Sequence, residues 1–340
     1  MIKNRIKKVV NERSCNMRDK FNVYNQIGKG KYGRVYKACV KNNDSCAAIK
    51  NSRENLKTEY NISKKLSTYN IPAVYGHTNC TGRQFLFSEY INGMNLNQYL
   101  DTSPSLSDVK TIMYKVLSTL RKIHSNLKSF RHHDLHLGNI MISKDKKPLI
   151  MDFGLSTISG VDNPIINYTY DPMFKNDFGI FPDSHRMYDA HLFLNSLITH
   201  DNTPREIKFF IQRVLGPFYV GEKTKYVKNF RLRSGVKHSL PTYDRILGDD
   251  FFKSRVKTPE IIRGILTTRK PTVNNNNKAK SVNNNKAKSV NNKARQNAVA
   301  FLAKNKPPAA TKRPMLRKTS AKPLTIRTLP NKKNNGTNKR

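Results

Sequence analysis

Two stretches of this 340-residue chain repeat apolar residues at helical spacing, and several shorter runs have the length of strands. Val109, Ile112, Met113, Val116, Leu117 and Leu120 follow one another at intervals of mostly three and four, the period of one helix face. Ser107 with Asp108 behind it predicts the start of that helix, because a serine oxygen satisfies an amide left unpaired in the first turn. The stripe ends near His124, which reads as a packed loop histidine. A second helix is predicted from Pro204, with Ile207, Phe210, Ile211 and Leu215 as its apolar face and Gly216-Pro217 as its stop. A short helix is expected over residues 58–66, where Ile62 and Leu66 follow Glu59 at i+3 and i+7. Ile140-Met141-Ile142, Leu149-Ile150-Met151 and Ala47-Ala48-Ile49 are predicted strands. Beyond Ile265 the pattern dissolves. Three segments follow: a basic arm over 1–20, a core-bearing stretch over 21–267, and a tail over 268–340. A domain of this middle size buries about 70–75% of its extended-chain surface, enough for a substantial core.

Charge changes the picture of the tail. The chain carries 63 Lys and Arg against 23 Asp and Glu, a formal charge of +40. Residues 269–340 hold 20 of the basic side chains and no acidic one, so half of the net charge lies there. The imperfect repeats VNNNNKAKS, VNNNKAKS and VNNKAR add few apolar groups. Such a segment buries too little surface to offset the entropy of ordering, and a disordered tail is expected. Its charge suits a polyanion, nucleic acid first, bound through phosphates without base readout, since Phe301 is its one aromatic. A merely solubilising Asn/Lys tract is the plainer alternative. Residues 304–318, KNKPPAATKRPMLRK, resemble a bipartite nuclear-import signal.

Cys15, Cys39, Cys46 and Cys80 show no C-x-x-C spacing, which argues against structural zinc. Read as unpaired thiols, they imply an intracellular, reducing compartment. No apolar run is long enough for a membrane span or a signal-peptide core.

Two motifs carry candidate chemistry. Ile27-Gly28-Lys29-Gly30-Lys31-Tyr32-Gly33-Arg34-Val35 fits G-x-G-x-x-G-x-V, in which glycine lets a hairpin lie close enough to phosphates for backbone N–H groups to reach them. Seventeen residues after Gly33 comes Lys50, at the end of an apolar strand. Downstream, His132-His133-Asp134-Leu135-His136-Leu137-Gly138-Asn139 is followed by Asp152-Phe153-Gly154. An Asp with an Asn five residues on, then D-F-G, resembles the way a protein-kinase-like phosphotransferase arranges one base and two oxygen ligands for Mg²⁺, and the resemblance implies that Asp134 receives or orients a hydroxyl proton while Asn139 and Asp152 face the metal.

In this order the elements resemble a eukaryotic-type protein kinase from about Phe21 to about Ile265. The resemblance implies an α+β, bilobal fold with a small β-rich N-lobe, a larger helical C-lobe, and ATP in the cleft with Mg²⁺. It implies that Lys50 pairs with a helix glutamate, Glu59 in preference to Glu54, although the interval from Lys50 is short and a truncated or displaced helix is expected. Glu59 as an ordinary solvated acid is the alternative. Ile27, Gly28, Lys29, Gly30 and Gly33 would cover the phosphates. Val35 and Ala48 would close the adenine pocket, with Ser88 at the gatekeeper position and Glu89 and Ile91 at the hinge. Residues 241–252 look like the end of a kinase lower lobe.

Departures from the family pattern are equally specific. His133 stands where H-R-D has arginine, so control by loop phosphorylation loses its usual anion contact, and a histidine of pKa near ~6.5 replaces that contact only partly at neutral pH. His136 stands where Ser/Thr kinases usually have lysine. The string His-x-Asp-Leu-His-x-Gly-Asn is similar to haspin-type kinases and to aminoglycoside- and choline-kinase-like phosphotransferases. No A-P-E follows, and Asp189 resembles the helix Asp that braces the catalytic loop. The expectation is an active Ser/Thr-protein kinase. The rivals are a small-molecule phosphotransferase and a nucleic-acid-binding structural protein with a vestigial kinase fold. The Lys/Asn-rich coding resembles kinases of large AT-rich DNA viruses, which implies infected-cell cytoplasm or virion, whereas the import-like segment points to the nucleus.

Overall fold

Alternation along three strands decides which face of the upper sheet is core. In the computed structural model, β1 (Phe21–Gly30), β2 (Gly33–Val40), β3 (Cys46–Ser52), β4 (Val74–Cys80) and β5 (Arg83–Glu89) form an antiparallel sheet of order β1-β2-β3-β5-β4. Ala47 and Ile49 are buried, whereas Ala48 and Lys50 between them are only partly covered. Successive strand side chains point to opposite faces, so one face packs and the other looks into the cleft. The packed face joins Ala38, Ala47, Ile49, Tyr75 and Phe87 with Phe21.

The structure describes residues 17–253 apart from 31–32, 42–44, 81, 167–175, 177–178 and 181–183, together with 6–8, 10 and 15. These all belong to the first of the two units into which the chain divides, Met1–Gly264. The expectations for the tail over 268–340 lie outside the described residues.

Ile6 and Val10, from the segment read as a basic arm, are buried in the same upper cluster as Phe21 and Ile49. Positions 6–8 and 10 are helical, so the segment presents an apolar side to the sheet. Its basic Lys7 and Lys8 stay exposed. The cysteines correct the expectation of unpaired thiols. Cys39 and Cys46 are directly opposite in the β2–β3 ladder and form a disulfide, and a second joins Cys15 to Cys80. Strand register, invisible in the spacing of cysteines, brings the first pair together.

After β3 comes α1 (Lys57–Lys65), and after β5 a short β6 (Gly93–Asn95) leads into α2 (Leu96–Asp101). An Asn95–Gln98 capping box starts α2. The long α3 (Leu106–Asn126) buries all six residues of the predicted stripe. It begins two residues before the expected position, because the Ser105 side chain accepts the Asp108 N–H. It also runs past His124, which is thus a buried helix residue and not a loop histidine. β7 (Ile140–Ser143) and β8 (Pro148–Ile150) join β6 in a three-stranded sheet. Below lie α4 (Tyr188–Thr199) and α5 (Arg205–Leu215), then a small hairpin of β9 (Val227–Lys228) and β10 (Arg231–Leu232), then α6 (Tyr243–Leu247) and α7 (Asp250–Lys253). The predicted face of α5 is buried at Ile207, Phe210, Ile211 and Leu215, and Gly216 with φ 82° ends the helix. The lower core gathers α3, α4 and α5 around residues such as Leu117, Phe193 and Phe210. The fold is α+β, with the β-rich part first and the helical part after it. Among the described residues no helix is long and apolar enough to cross a membrane.

Ile6→Ala tests the docking of the N-terminal segment. Removing a fully buried isoleucine side chain costs about 2–5 kcal/mol, so the thermal midpoint should fall by about 4 °C or more. An unchanged midpoint would place the segment outside the cooperative core.

Candidate active site

Four cleft residues come from one face of the upper sheet through its register. Val35 lies opposite Lys50, and Ala48 lies opposite Ser88. Residues directly opposite in an antiparallel ladder share a face, and Ala48 and Lys50 are two apart on one strand. All four therefore look away from the upper core. Gly28 pairs with Val35 on the β1 side. Of the three glycines, Gly33 is the one the fold itself demands, since a Cβ there would stand 2.6 Å from the Asn51 carbonyl oxygen. A Cβ on Gly30 would meet nothing within 4 Å, so packing within the chain does not require glycine at that position. Ile27, Lys29 and Gly30 are exposed along the strand.

Glu89 ends β5 and has its N–H bonded to the Ala73 carbonyl, while its side chain accepts the Ala73 N–H. Of the backbone groups expected at the hinge, the Glu89 N–H is therefore already taken. Ile91 lies two residues beyond the end of β5.

Lys50 Nζ lies 2.8 Å from Glu59 Oε2 and 2.8 Å from Asp152 Oδ1. The short interval between Lys50 and Glu59 is explained by α1, which starts only at Lys57 and so places Glu59 in its first turn. The helix is short but it is not displaced: Glu59 is buried on the cleft side with Ile62 beneath it. Burial works to lower the pKa of Lys50, and the two carboxylates outweigh it, so the lysine stays charged. Burial acts to raise the pKa of Asp152, and Lys50 pulls it below the ordinary carboxylate range.

The catalytic-loop candidates sit on a frame built by Asp189 of α4. Its two oxygens accept the N–H groups of His132 and His133, each at 2.8 Å. His124 Nε2 lies 3.5 Å from the same carboxylate, and its Nδ1 meets the Tyr243 hydroxyl at 2.9 Å. Burial alone would raise the pKa of Asp189, and hydrogen bonding from His124 outweighs it, so the carboxyl lies well below the usual range. His133 adopts φ 64°, a left-handed conformation that a histidine keeps only when its surroundings fix it.

The histidine rings find partners that exclude anion binding by His133. Its Nδ1 faces the Leu155 carbonyl at 3.1 Å, and its Nε2 faces Ser184 Oγ at 2.9 Å. A carbonyl only accepts, so Nδ1 carries the proton and Nε2 accepts from the serine hydroxyl. Burial pushes its pKa down to about 4. The expected partial anion contact is thus corrected: the ring is neutral, enclosed and fully bonded. His132 is also buried, with Nε2 3.0 Å from the Met151 carbonyl, and its ring packs near that of Phe153 in the lower core.

Asp134 and Asn139 are tied together by the turn that follows. Asn139 Nδ2 donates to the Asp134 carbonyl at 2.8 Å and approaches Asp134 Oδ2 at 3.3 Å. This use of the nitrogen fixes which end of the amide is the oxygen. A cation fits here by donor chemistry. Asp152 is half-exposed with one oxygen on Lys50, and Asn139 adds an amide oxygen, both hard donors. Among the described residues no group of three His, Cys, Asp or Glu encloses a metal.

Sequence reasoning missed Arg231. From β10 its Nη2 reaches Asp134 Oδ1 at 2.5 Å, and its Nη1 donates to the His133 carbonyl. It lies 97 residues beyond Asp134 in a two-strand hairpin with no recognisable motif, so only the fold brings the two together.

Residues 21–175 match the family model of the protein kinase domain. Similar relatives include dual specificity protein kinase zakA of Dictyostelium discoideum, 31% identical over 144 residues, 39% of this chain and 18% of that protein. Cysteine-rich receptor-like protein kinase 5 of Arabidopsis thaliana is 27% identical over 156 residues, 42% of this chain and 24% of its own length. Serine/threonine-protein kinase pakG of Dictyostelium discoideum is 29% identical over 138 residues, 38% of this chain and 12% of that protein. Over residues 21–175 the chain is thus similar to a eukaryotic-type protein kinase domain, with the departures in its catalytic loop described above. It spans less than a quarter of the length of these relatives.

Two outcomes test this geometry. Ser88→Phe should weaken an ATP-site inhibitor that places a bulky group behind the adenine by about tenfold or more. Unchanged affinity would mean that Ser88 does not border that space. The second concerns acid. Burial holds both His133 and His191 at about 4, against 6.5 when unfolded. Between those values the unfolded chain binds more protons, so stability is lost as pH falls from 6.5 towards 4. The thermal midpoint should drop through that window, and His191→Gln should make the drop shallower. A midpoint flat from pH 7 to 4.5 would show that the rings are not buried neutral.

Proposed function

We propose that this chain is an active protein kinase that transfers the γ-phosphoryl group of ATP to Ser or Thr hydroxyls of proteins. The observation that carries the reading is the three-way contact of Lys50 with Glu59 and Asp152, beside an Asp134 held by its own loop. A vestigial fold has no need to keep a lysine, two carboxylates and an asparagine in this arrangement. Two of the relatives are named for serine/threonine or dual specificity, and this supports a hydroxyl acceptor on protein.

The chemistry is positioning and charge neutralisation. Lys50, steadied by Glu59, meets the α- and β-phosphates below the glycine hairpin. Asp152 and Asn139 would hold Mg²⁺, which neutralises phosphate charge when bound. Asp134 receives the proton of the acceptor hydroxyl as its oxygen bonds to the γ-phosphorus. The bond from that phosphorus to the bridging oxygen breaks, and ADP leaves. His133 is enclosed and neutral, so the loop lacks the cation by which a phosphorylated activation segment is usually read. The reading therefore includes activity without loop phosphorylation. The tail over 269–340, with 20 basic and no acidic residues, supports contact with a polyanion near the substrate.

Purified full-length protein with labelled ATP and Mg²⁺ tests this, with casein, a histone mixture and the protein itself as acceptors. Label on Ser and Thr that falls by about 10²-fold or more in Asp152→Ala is the expected result. ADP release only with small alcohols would assign a metabolite kinase. Silence with every acceptor would remove catalysis from the account and leave the basic tail as the functional part.

A further inference from the structure

We propose that Arg231 is a positioning residue for phosphoryl transfer, supplying to Asp134 a fixed positive charge from outside the catalytic loop. The inference rests on the reading of Asp134 as the group that receives the acceptor proton.

The loop position two residues after Asp134 holds His136, whose approach to the carboxylate is long. Its Nδ1 accepts the Gly138 N–H at 3.0 Å, which leaves Nε2 to carry the proton 3.7 Å from Asp134 Oδ2. Gly138 is required for this pose, because a Cβ there would stand 2.8 Å from the His136 ring. The loop thus holds the His136 ring 3.7 Å from its carboxylate, beyond hydrogen-bond distance.

Arg231 supplies what His136 does not. Its guanidinium is charged at any working pH and offers donors in a planar fork. One arm reaches Asp134 Oδ1 at 2.5 Å and the other the His133 carbonyl, so charge and backbone of the loop are held by one side chain. The side chain is 14% exposed. Its hairpin turns at Asn229 and Phe230, which adopt φ 50° and 63°, the mirror-image turn that suits a two-residue connection between twisted strands. With Oδ1 engaged, Asp134 Oδ2 is the oxygen with the longer contacts, 3.3 Å to Asn139 and 3.7 Å to His136. Arg231 therefore selects Oδ2 to take the proton. A cleft of about 550 Å³ is lined by His136 and Arg231, the two side chains that approach Asp134, with Phe230, Asn95 and Asn97 among others.

Full-length Arg231→Met, Arg231→Lys, Asp134→Asn and the double variant Asp134→Asn/Arg231→Met test this by steady-state kinetics. Arg231→Met should lower kcat by about 10²-fold while the KM for ATP stays within about twofold, because only the geometry of the reacting groups is disturbed. Arg231→Lys, which keeps the charge without the planar fork, should recover about a tenfold part of that loss. In the Asp134→Asn background Arg231→Met should change kcat by less than about threefold, since the residue acts through the missing carboxylate. Thermal unfolding is followed in parallel. Should Arg231→Met fail to unfold cooperatively, Arg231→Lys replaces it in the cycle with the same expectation. Wild-type kcat in the Met variant, or equal losses with and without Asp134, overturns the proposal. No Asp152-dependent transfer by the wild type overturns it together with the kinase reading, whereas robust wild-type transfer with an unaffected Arg231 variant overturns this inference alone.

Discussion

Everything at the site depends on one buried carboxylate. Asp189 has no exposed surface, yet it remains ionised because three groups converge on it: the backbone N–H groups of His132 and His133 and the ring of His124. Those groups come from α3 and from the loop that precedes Asp134, so one side chain of α4 fixes the spacing of three segments. A buried charge without partners costs several kcal/mol, and removing one partner of a buried network leaves the others unsatisfied at about 1–3 kcal/mol each. The interaction is therefore costly to disturb from either end. It orders the backbone at His132 and His133, and Asp134 is the next residue along.

The upper lobe is organised by a different constraint, the alternation of β3. Ala47 and Ile49 are drawn into the upper core, and that forces Ala48 and Lys50 to the opposite face. Lys50 then has no apolar partner and turns to Glu59 and Asp152. Its charge holds α1, the upper sheet and the D-F-G segment together, while burial of Phe153 in the lower core fixes the other end of that segment. The two lobes are thus coupled through a charge cluster above and an aromatic packing site below, separated by one residue in sequence.

Much of this was legible because it is written in local period and local spacing. The stripes of α3 and α5, the strands β7 and β8, the glycine hairpin and the Lys50–Glu59 pairing each rest on residues within a few turns of one another, and a period or a motif reports them. What escaped depends on distance in sequence. Ile6 packs on Ile49, Cys15 meets Cys80, and Arg231 meets Asp134, each across a separation that no local pattern encodes. His133 escaped for another reason. Its residue type indicated a partial cation, but enclosure by Leu155, Ser184 and Tyr188 sets its protonation, and enclosure is a property of the fold.

Backbone strain follows the same map. Among the described residues, six non-glycine positions have positive φ, and four of them are His133, Asp152, Asn229 and Phe230. Conformations of this kind cost of order 1–3 kcal/mol each when nothing compensates. Here each is tied to a charge: His133 lies beneath Asp189, Asp152 faces Lys50, and the turn at Asn229 and Phe230 delivers Arg231 to Asp134. At these four positions the strained backbone accompanies the aiming of a charged group, and the hydrogen bond or ion pair formed holds it in place. In this lobe the regular elements supply the core, while the irregular residues between them carry the charges that meet.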